Sequence, residues 1–336
     1  MNFPPGQSFG YSNANYETLG LIVQTVSHQS YEEYIKQYIF GPLDMRNSFV
    51  SQQNALQHGM ASGYRWWFGI PVPVTFPYNR SELPAGYIFS SAEDMAHFLI
   101  AQMNGGQYRD SSILSPDGIA STHIEPIPNT YAMGWESVRI DGHNLISHDG
   151  GTANFQSSVF FDPEERIGVF IVANVMCALD AFSSPHGSTL LDGSTVRGMA
   201  QNVLSMVANR QLPEQGRGIR QLYIIFDVVI LALTVMLIIS LIRIPKRYQR
   251  LKQHGIATRS DFVWRIGLVL VLHFAWPLLV LYLLLKVLLW KVFIMFQPDL
   301  CYWLETVAIV VFSKGLLEIA LTSHVFRQTK QTQHLV

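Results

Sequence analysis

Cysteine is almost missing from this chain. Cys177 and Cys301 are the two in 336 residues, far apart and one in each of two dissimilar halves. Neither a disulfide framework nor a cysteine-based zinc site is expected from them. Charge is also scarce. Asp, Glu, Lys and Arg make up 14% of the chain against 49% hydrophobic residues, a low share for a soluble enzyme. A secretory signal is not seen either: Met1 runs at once into the Pro4-Pro5-Gly6 turn, with no basic n-region and no apolar h-region. His123, His143 and His186 lack metal-ligand spacing and read as ordinary loop histidines, so no metal and no cofactor is expected.

What charge there is divides unevenly. Residues 1–210 hold nine Lys/Arg against eighteen Asp/Glu, whereas residues 211–336 hold fourteen against six. The length allows about two domains, and the composition shift puts a linker at 211–221 between a domain at 1–210 and an all-α membrane region at 222–326. Leu222–Ile242 carries Asp227 as its one charge, and Ile266–Leu285 carries none, with Pro277 as an expected kink. A weaker third span at 300–326 contains Glu305, Lys314 and Glu318, the last two at i,i+4 and able to neutralise each other in a structural role inside a small bundle. Lys246, Arg247, Arg250, Lys252 and Arg259 in loop 245–259, with Arg327 and Lys330 in tail 327–336, make both segments cytoplasmic by the positive-inside rule. Three spans then leave residues 1–221 extracytoplasmic, with the lipid membrane as one partner.

Within residues 1–210 the periodicity predicts a helix over about 14–27, capped by Asn13 or Asn15, and a second over 31–39 stopped by Gly41-Pro42. Residues 51–85 read as an irregular aromatic excursion, a candidate lid. Ser90-Ser91-Ala92-Glu93 supplies an N-cap and an acidic first turn for a helix through Met103, closed by Gly105-Gly106. Strands follow in AMGWESVRI, NLISH, FQSSVFF and RIGVFIVANV, with a turn at Asp162–Glu165 and a closing helix near 196–209. Helices before and after a run of antiparallel strands predict an α+β fold. Tyr11-Ser12-Asn13 lies on the loop entering the first helix. By itself that tripeptide reads as a polar turn with a half-buried tyrosine, and His148 as a surface strand histidine.

Several ordered blocks together carry more. PPGQSFGYSNAN with the following helix and Ile39-Phe40-Gly41-Pro42-Leu43-Asp44-Met45, then PAGYIFSSAEDMAHFLIAQMNGG, MGWE and Ser147-His148-Asp149-Gly150-Gly151-Thr152, resemble the serine hydrolases related to class C β-lactamases, DD-peptidases and penicillin-binding-protein-like esterases. The resemblance covers about residues 1–210 and implies a partial β-lactamase/DD-peptidase-like domain, an antiparallel sheet with flanking helices. It implies acyl-enzyme chemistry on peptide-like amides, β-lactams or esters, the substrate being a small molecule or a peptide such as a cell-wall peptide, with no nucleic-acid partner. Tyr11 is then the motif tyrosine that shares the general-base work, and Asn13 the donor to the substrate's amide carbonyl. His148 takes the place of the third-motif lysine, which tilts the expectation towards a peptidase or esterase. The Gly151 N–H becomes an oxyanion donor. Ser12, Asp149 and Gly150 are placed beside the substrate, Ser12 as the variable middle residue and Asp149 as a solvent-facing or supporting side chain.

The pattern departs from the family at the nucleophile, which stands there in Ser-x-x-Lys. Three residues before Lys36, Lys246, Lys252, Lys286, Lys291, Lys314 and Lys330 stand Glu33, Arg243, Gln249, Leu283, Leu288, Val311 and Arg327. The expectation is that this chain is the later part of a longer membrane-anchored hydrolase and cannot acylate as it stands. The alternative is an inactive ligand-binding or sensor ectodomain on a three-span anchor.

Overall fold

The computed structural model describes residues 4, 7–75, 78–124, 131–176, 195–211, 219–287, 294 and 297–333. They form two compact units, one of residues up to 66 with 71–219, the other of residues 67–70 with 220–336.

The first unit starts with α1 (Asn13–Ser27), whose N-cap is Ser12. The expected caps, Asn13 and Asn15, already lie inside the helix, and Ser12 itself makes no side-chain capping bond. The helix ends where His28 turns left-handed (φ 56) and returns its N–H to the Gln24 carbonyl. A capping box between Ser30 and Glu33 opens α2 (Tyr31–Ile35), which widens into a π-turn over Lys36–Phe40. Residues 51–85, expected to be irregular, are instead partly ordered. Ser51 caps α3 (Gln52–Gln57), and Phe68 and Gly69, both at positive φ, close a hairpin of β1 (Tyr64–Trp67) and β2 (Ile70–Pro73). A short α4 (Leu83–Gly86) follows. It crosses α1 so closely that a Cβ on Gly20 would clash with the Pro84 ring.

Ser91 accepts from the Asp94 N–H and starts α5 (Ala92–Met103). After a two-residue hairpin, β3 (Gln107–Tyr108) with β4 (Ser111–Ser112), and α6 (Pro116–Thr122) comes the main sheet. It is antiparallel, in the order β5 (Glu136–Ile140), β6 (His143–Gly151), β7 (Gln156–Asp162), β8 (Ile167–Ala173). Asp162 Oδ1 accepts from the N–H groups of Glu164 and Glu165 and fixes the β7–β8 turn. A short β9 (Val175–Met176) leaves this sheet to pair in parallel with β1, and α7 (Val196–Val207) completes the unit.

Strand alternation sorts the core into two layers. On one face Ile146, Val159 and Phe161 pack with Leu99 of α5 and Trp135. On the other, Leu145 and Phe160 pack with Ala200 and Leu204 of α7. The sheet is thus covered on both sides, the α+β arrangement expected of residues 1–210.

The second unit is helical: α8 (Ile219–Ile242), α9 (Ile244–His254), α10 (Arg259–Leu270), a π-turn over Val271–Ala275, α11 (Trp276–Val287) and α12 (Pro298–Gln333). Pro277, the expected kink position, stands in the first turn of α11 just after that π-turn, and its ring nitrogen cannot donate to the carbonyl one turn back. Gly315 of α12 lets the π-turn approach: a Cβ there would stand 2.7 Å from the His273 Cβ. Two helical stretches, 223–254 and 259–282, are long and apolar enough to cross a membrane. The third expected span, 300–326, falls inside α12 and is not one of these two stretches, so the described residues support two candidate spans rather than three. Lys314 does sit 3.8 Å from Glu318, and Arg247 joins the same carboxylate at 3.2 Å.

Phe160 is fully buried between sheet and α7. Phe160→Ala is expected to cost about 3–5 kcal/mol of stability, read by denaturant unfolding of the chain. A loss below about 1 kcal/mol would mean that α7 does not pack on the sheet as described.

Candidate active site

The loop before α1 and strand β6 are brought together by a residue that the motif reading missed. Tyr131 stacks on Phe9 with ring centroids 5.5 Å apart, and meets the Tyr11 ring edge-on at 5.8 Å. Its hydroxyl lies 2.8 Å from His148 Nε2 and is also hydrogen-bonded to Tyr16. Tyr11 and His148, 137 positions apart in the chain, are thus bridged by one phenol. The signal available in the sequence was weak: Tyr131 stands just ahead of the Met133–Glu136 block, with no spacing rule to mark it. Asn13 begins α1 and Ser12 caps it in an extended conformation, so both stand at the same helix entrance as Tyr11.

Among the described residues no cation acts on the Tyr11 phenol. Burial, then Tyr16 and the Glu136 carboxylate, push the Tyr11 phenol above its ordinary value. Tyr131 is pushed up by burial and by its bond to Tyr16. Burial holds the His148 imidazole below its usual range, outweighing the acids Glu136 and Asp149, so the ring is neutral at physiological pH. A general-base tyrosine needs the opposite, a nearby positive charge that favours phenolate.

Strand alternation separates the remaining residues. His148 lies on the Ile146 face of β6, whereas Asp149 faces α7, where Arg197 binds its carboxylate and the Ser158 hydroxyl donates to it at 2.6 Å. Arg197 is buried and stacks over the Phe160 ring. Asp149 therefore serves the sheet–helix contact on the side away from His148. The β5 ladder ends at the Glu136–Ser147 pair, so residues 148–151 have no ladder partner on that side among the described residues. The two glycines differ. A Cβ on Gly150 would fall 2.4 Å from Ser157 Oγ, while one on Gly151 would make ordinary contact with Met176. Of the two, only Gly150 has a neighbour, the Ser157 hydroxyl, that a Cβ would force to turn away.

Both glycines also line a cavity of about 1080 Å³ in the first unit. Its walls are mostly apolar, with Ile39 from the π-turn, Met95 and Phe98 from α5, and Phe170 from β8, and polar groups such as Asn47, Gln52 and Asn154 also line it. Protein interiors are packed to about 0.74 of their volume and leave few voids larger than a water molecule. This cavity is half open to solvent, and a space of its size is room for more protein or for a ligand.

The other histidines are accounted for by packing. His123 Nε2 is 2.9 Å from Gln102 Oε1, and the ring packs on Trp135 and Phe161. His143 begins β6 and, against the expectation of a loop residue, forms a trio with Asp162 and Glu165 close enough to hold a metal ion. Arg210 already puts its guanidinium 2.6 Å from both carboxylates, so a cation is in place. His186 lies outside the described residues.

Residues 1–181 match the family described as Beta-lactamase. The chain belongs to the beta-lactamase family. It is 35% identical over 176 residues to Protein flp of Staphylococcus aureus (strain MW2), a match covering 52% of this chain and 35% of that protein. Unguisins hydrolase ungD of Aspergillus violaceofuscus is 28% identical over 215 residues, covering 56% and 37% of the respective chains. The octameric penicillin-binding protein homologue from Pyrococcus abyssi aligns with a TM-score of 0.52 and 27% identity, over 63% of this chain and 45% of its own. The chain thus spans little more than a third of the curated relatives it matches. As a member of this family, its first unit is a partial beta-lactamase-like domain of the serine hydrolase type.

The depressed His148 value sets a pH dependence. In the unfolded chain imidazole titrates near its usual value of about 6.5, and in the fold it does so lower. Between the two values only the unfolded state takes the proton, so stability is full above about pH 6.5 and is lost as pH falls through the folded value. The thermal midpoint is expected to drop from about pH 7 to about pH 5, and His148→Gln to make that drop shallower. An unaltered slope would show that the ring is not buried neutral.

Proposed function

We propose that the protein is a membrane-anchored extracytoplasmic serine hydrolase that acts through an acyl-enzyme on peptide-like amides or esters. The observation that carries this reading is the convergence of Tyr11, Tyr131 and His148 on the β6 edge beside Gly150 and Gly151. The two apolar helical stretches supply the anchor, and the basic segment after the first keeps residues 1–221 on the outer face.

In this reading a serine Oγ attacks the substrate carbonyl carbon. Its proton passes through the Tyr11 oxygen to the leaving nitrogen or oxygen as the carbonyl–leaving-group bond breaks, and water then cleaves the acyl ester. The Gly151 N–H holds the oxyanion and Asn13 orients the acyl side chain. His148, being neutral, shapes the pocket through Tyr131 and does not place a fixed charge opposite a carboxylate. The nucleophile and its lysine come from polypeptide outside residues 1–336. That lysine is also the cation that the raised Tyr11 phenol lacks. In this reading such a segment packs in the cavity beside Gly150–Gly151: at 10–12 Å diameter and 1.5 Å per residue, its volume suits roughly two helical turns.

The absence of Ser-x-x-Lys from all 336 residues favours a second reading, a ligand-binding ectodomain without turnover. Covalent labelling of the native membrane protein separates the two. A fluorophosphonate or fluorescent penicillin is expected to modify a serine three residues before a lysine, outside this sequence, as mapped by peptide mass spectrometry. Tyr11→Phe is expected to slow labelling by about 10²–10⁴-fold. No label on the native protein, or a label on a serine within residues 1–336, rejects the hydrolase mechanism.

A further inference from the structure

The second unit carries a feature that hydrolysis does not use. Helix α8 ends its apolar run at Ile242, and after Arg243 the chain re-enters a helix as α9. Along α9, Ile244, Tyr248 and Leu251 are partly buried, at the i, i+4, i+7 spacing of one face. This side packs towards α12, where the Ile256 N–H also donates to Thr329 Oγ1 and Gly255 closes on the same threonine. Arg243, Lys246 and Arg250 stand at i, i+3, i+7 on another face, all exposed.

These three cations are without an ion pair among the described residues. Arg247, beside them, is held by Glu318. The other acid of this end of the unit, Asp261, is held by Arg265 at 2.8 Å. On α12, Arg327 is exposed and Lys330 donates to Gln333. The end of the unit that bears α9 therefore presents unpaired positive charge with its acids already neutralised. The stripe begins one residue beyond an apolar helix whose last residue, Ile242, is itself exposed.

We propose that the Arg243–Lys246–Arg250 stripe binds anionic phospholipid headgroups in the leaflet that α8 reaches. The inference rests on the membrane-anchoring part of the reading above and is independent of the hydrolytic part. A polyanion such as a nucleic acid would answer the same charges. The bilayer is favoured because the stripe is continuous with the apolar run of α8 and reads out from its end.

The test uses the full chain reconstituted into phosphatidylcholine vesicles with trace spin-labelled lipid, and compares motionally restricted phosphatidylglycerol with restricted phosphatidylcholine. The expected result is at least about a fivefold preference for phosphatidylglycerol, what one well-placed cation confers at an anionic surface. The preference should fall towards unity in R243Q/K246Q/R250Q while the total number of restricted lipids per chain stays the same. If the triple variant does not reconstitute, Arg250→Gln alone should lower the preference in the same direction. A wild-type preference near unity overturns the proposal, as does a preference that survives the substitutions, or a stripe that retains a labelled oligonucleotide yet does not discriminate the lipids. No restricted lipid of either kind overturns the membrane reading itself, an outcome distinct from the other three.

Discussion

Strand β6 is the constraint on which the first unit depends. Up to Ser147 it is a core strand, paired with β5 over His143–Ser147 and with β7 from Ile146 on, and burying Leu145 against α7 and Ile146 against the α5 layer. From His148 onward the β5 pairing stops, but the two-residue periodicity continues, so the same faces that buried leucine and isoleucine now present polar groups. His148 inherits the Ile146 side and meets Tyr131, while Asp149 inherits the Leu145 side and meets Arg197. A one-residue slip in register would exchange them, placing the imidazole against the buried guanidinium and the carboxylate against a phenol. The two core layers that hold the register therefore also hold the site.

The same strand explains why the cluster is chemically incomplete. Three phenols, an imidazole and the Glu136 carboxylate converge, and every influence on Tyr11 raises its proton affinity. The one strongly placed cation nearby, Arg197, faces the other side of the sheet and is committed to Asp149. Its position above the Phe160 ring makes it part of the α7 interface. A neutral His148 cannot substitute, because burial already disfavours its charged form. Gly150 and Gly151 line the cavity, whereas Tyr11, Tyr131 and His148 do not, so the phenol cluster and the cavity meet only through the end of β6.

Much of this fold was legible from pattern alone. Ser91 before an acidic first turn, Gly105-Gly106 after it, and alternation through residues 144–175 each have a local physical meaning, and each element formed where its signal lay. Legibility failed where structure depends on partners. Residues 51–85 look irregular because their prolines and aromatics obscure the period, yet a cap at Ser51 and a tight turn at Phe68-Gly69 organise part of them. Tyr131 was invisible because its role is defined by two residues more than a hundred and fewer than twenty positions away, Tyr11 and His148. His143 shows the converse: ligand spacing in sequence cannot reveal a trio assembled across a hairpin, nor that Arg210 fills it.

The charges of α12 follow the same logic in the second unit. Glu305, Lys314 and Glu318 interrupt the apolar run of α12, and composition alone leaves them unexplained. In the fold Glu318 is nearly buried and shared by Lys314 and Arg247, so its charge is compensated within the unit. Gly315, one residue after Lys314, is where the π-turn comes closest. A helix that must bring a backbone and a carboxylate to its neighbours cannot also be uniformly apolar. Packing among helices therefore sets the composition of α12, where a buried carboxylate and a bare glycine serve the neighbouring helices.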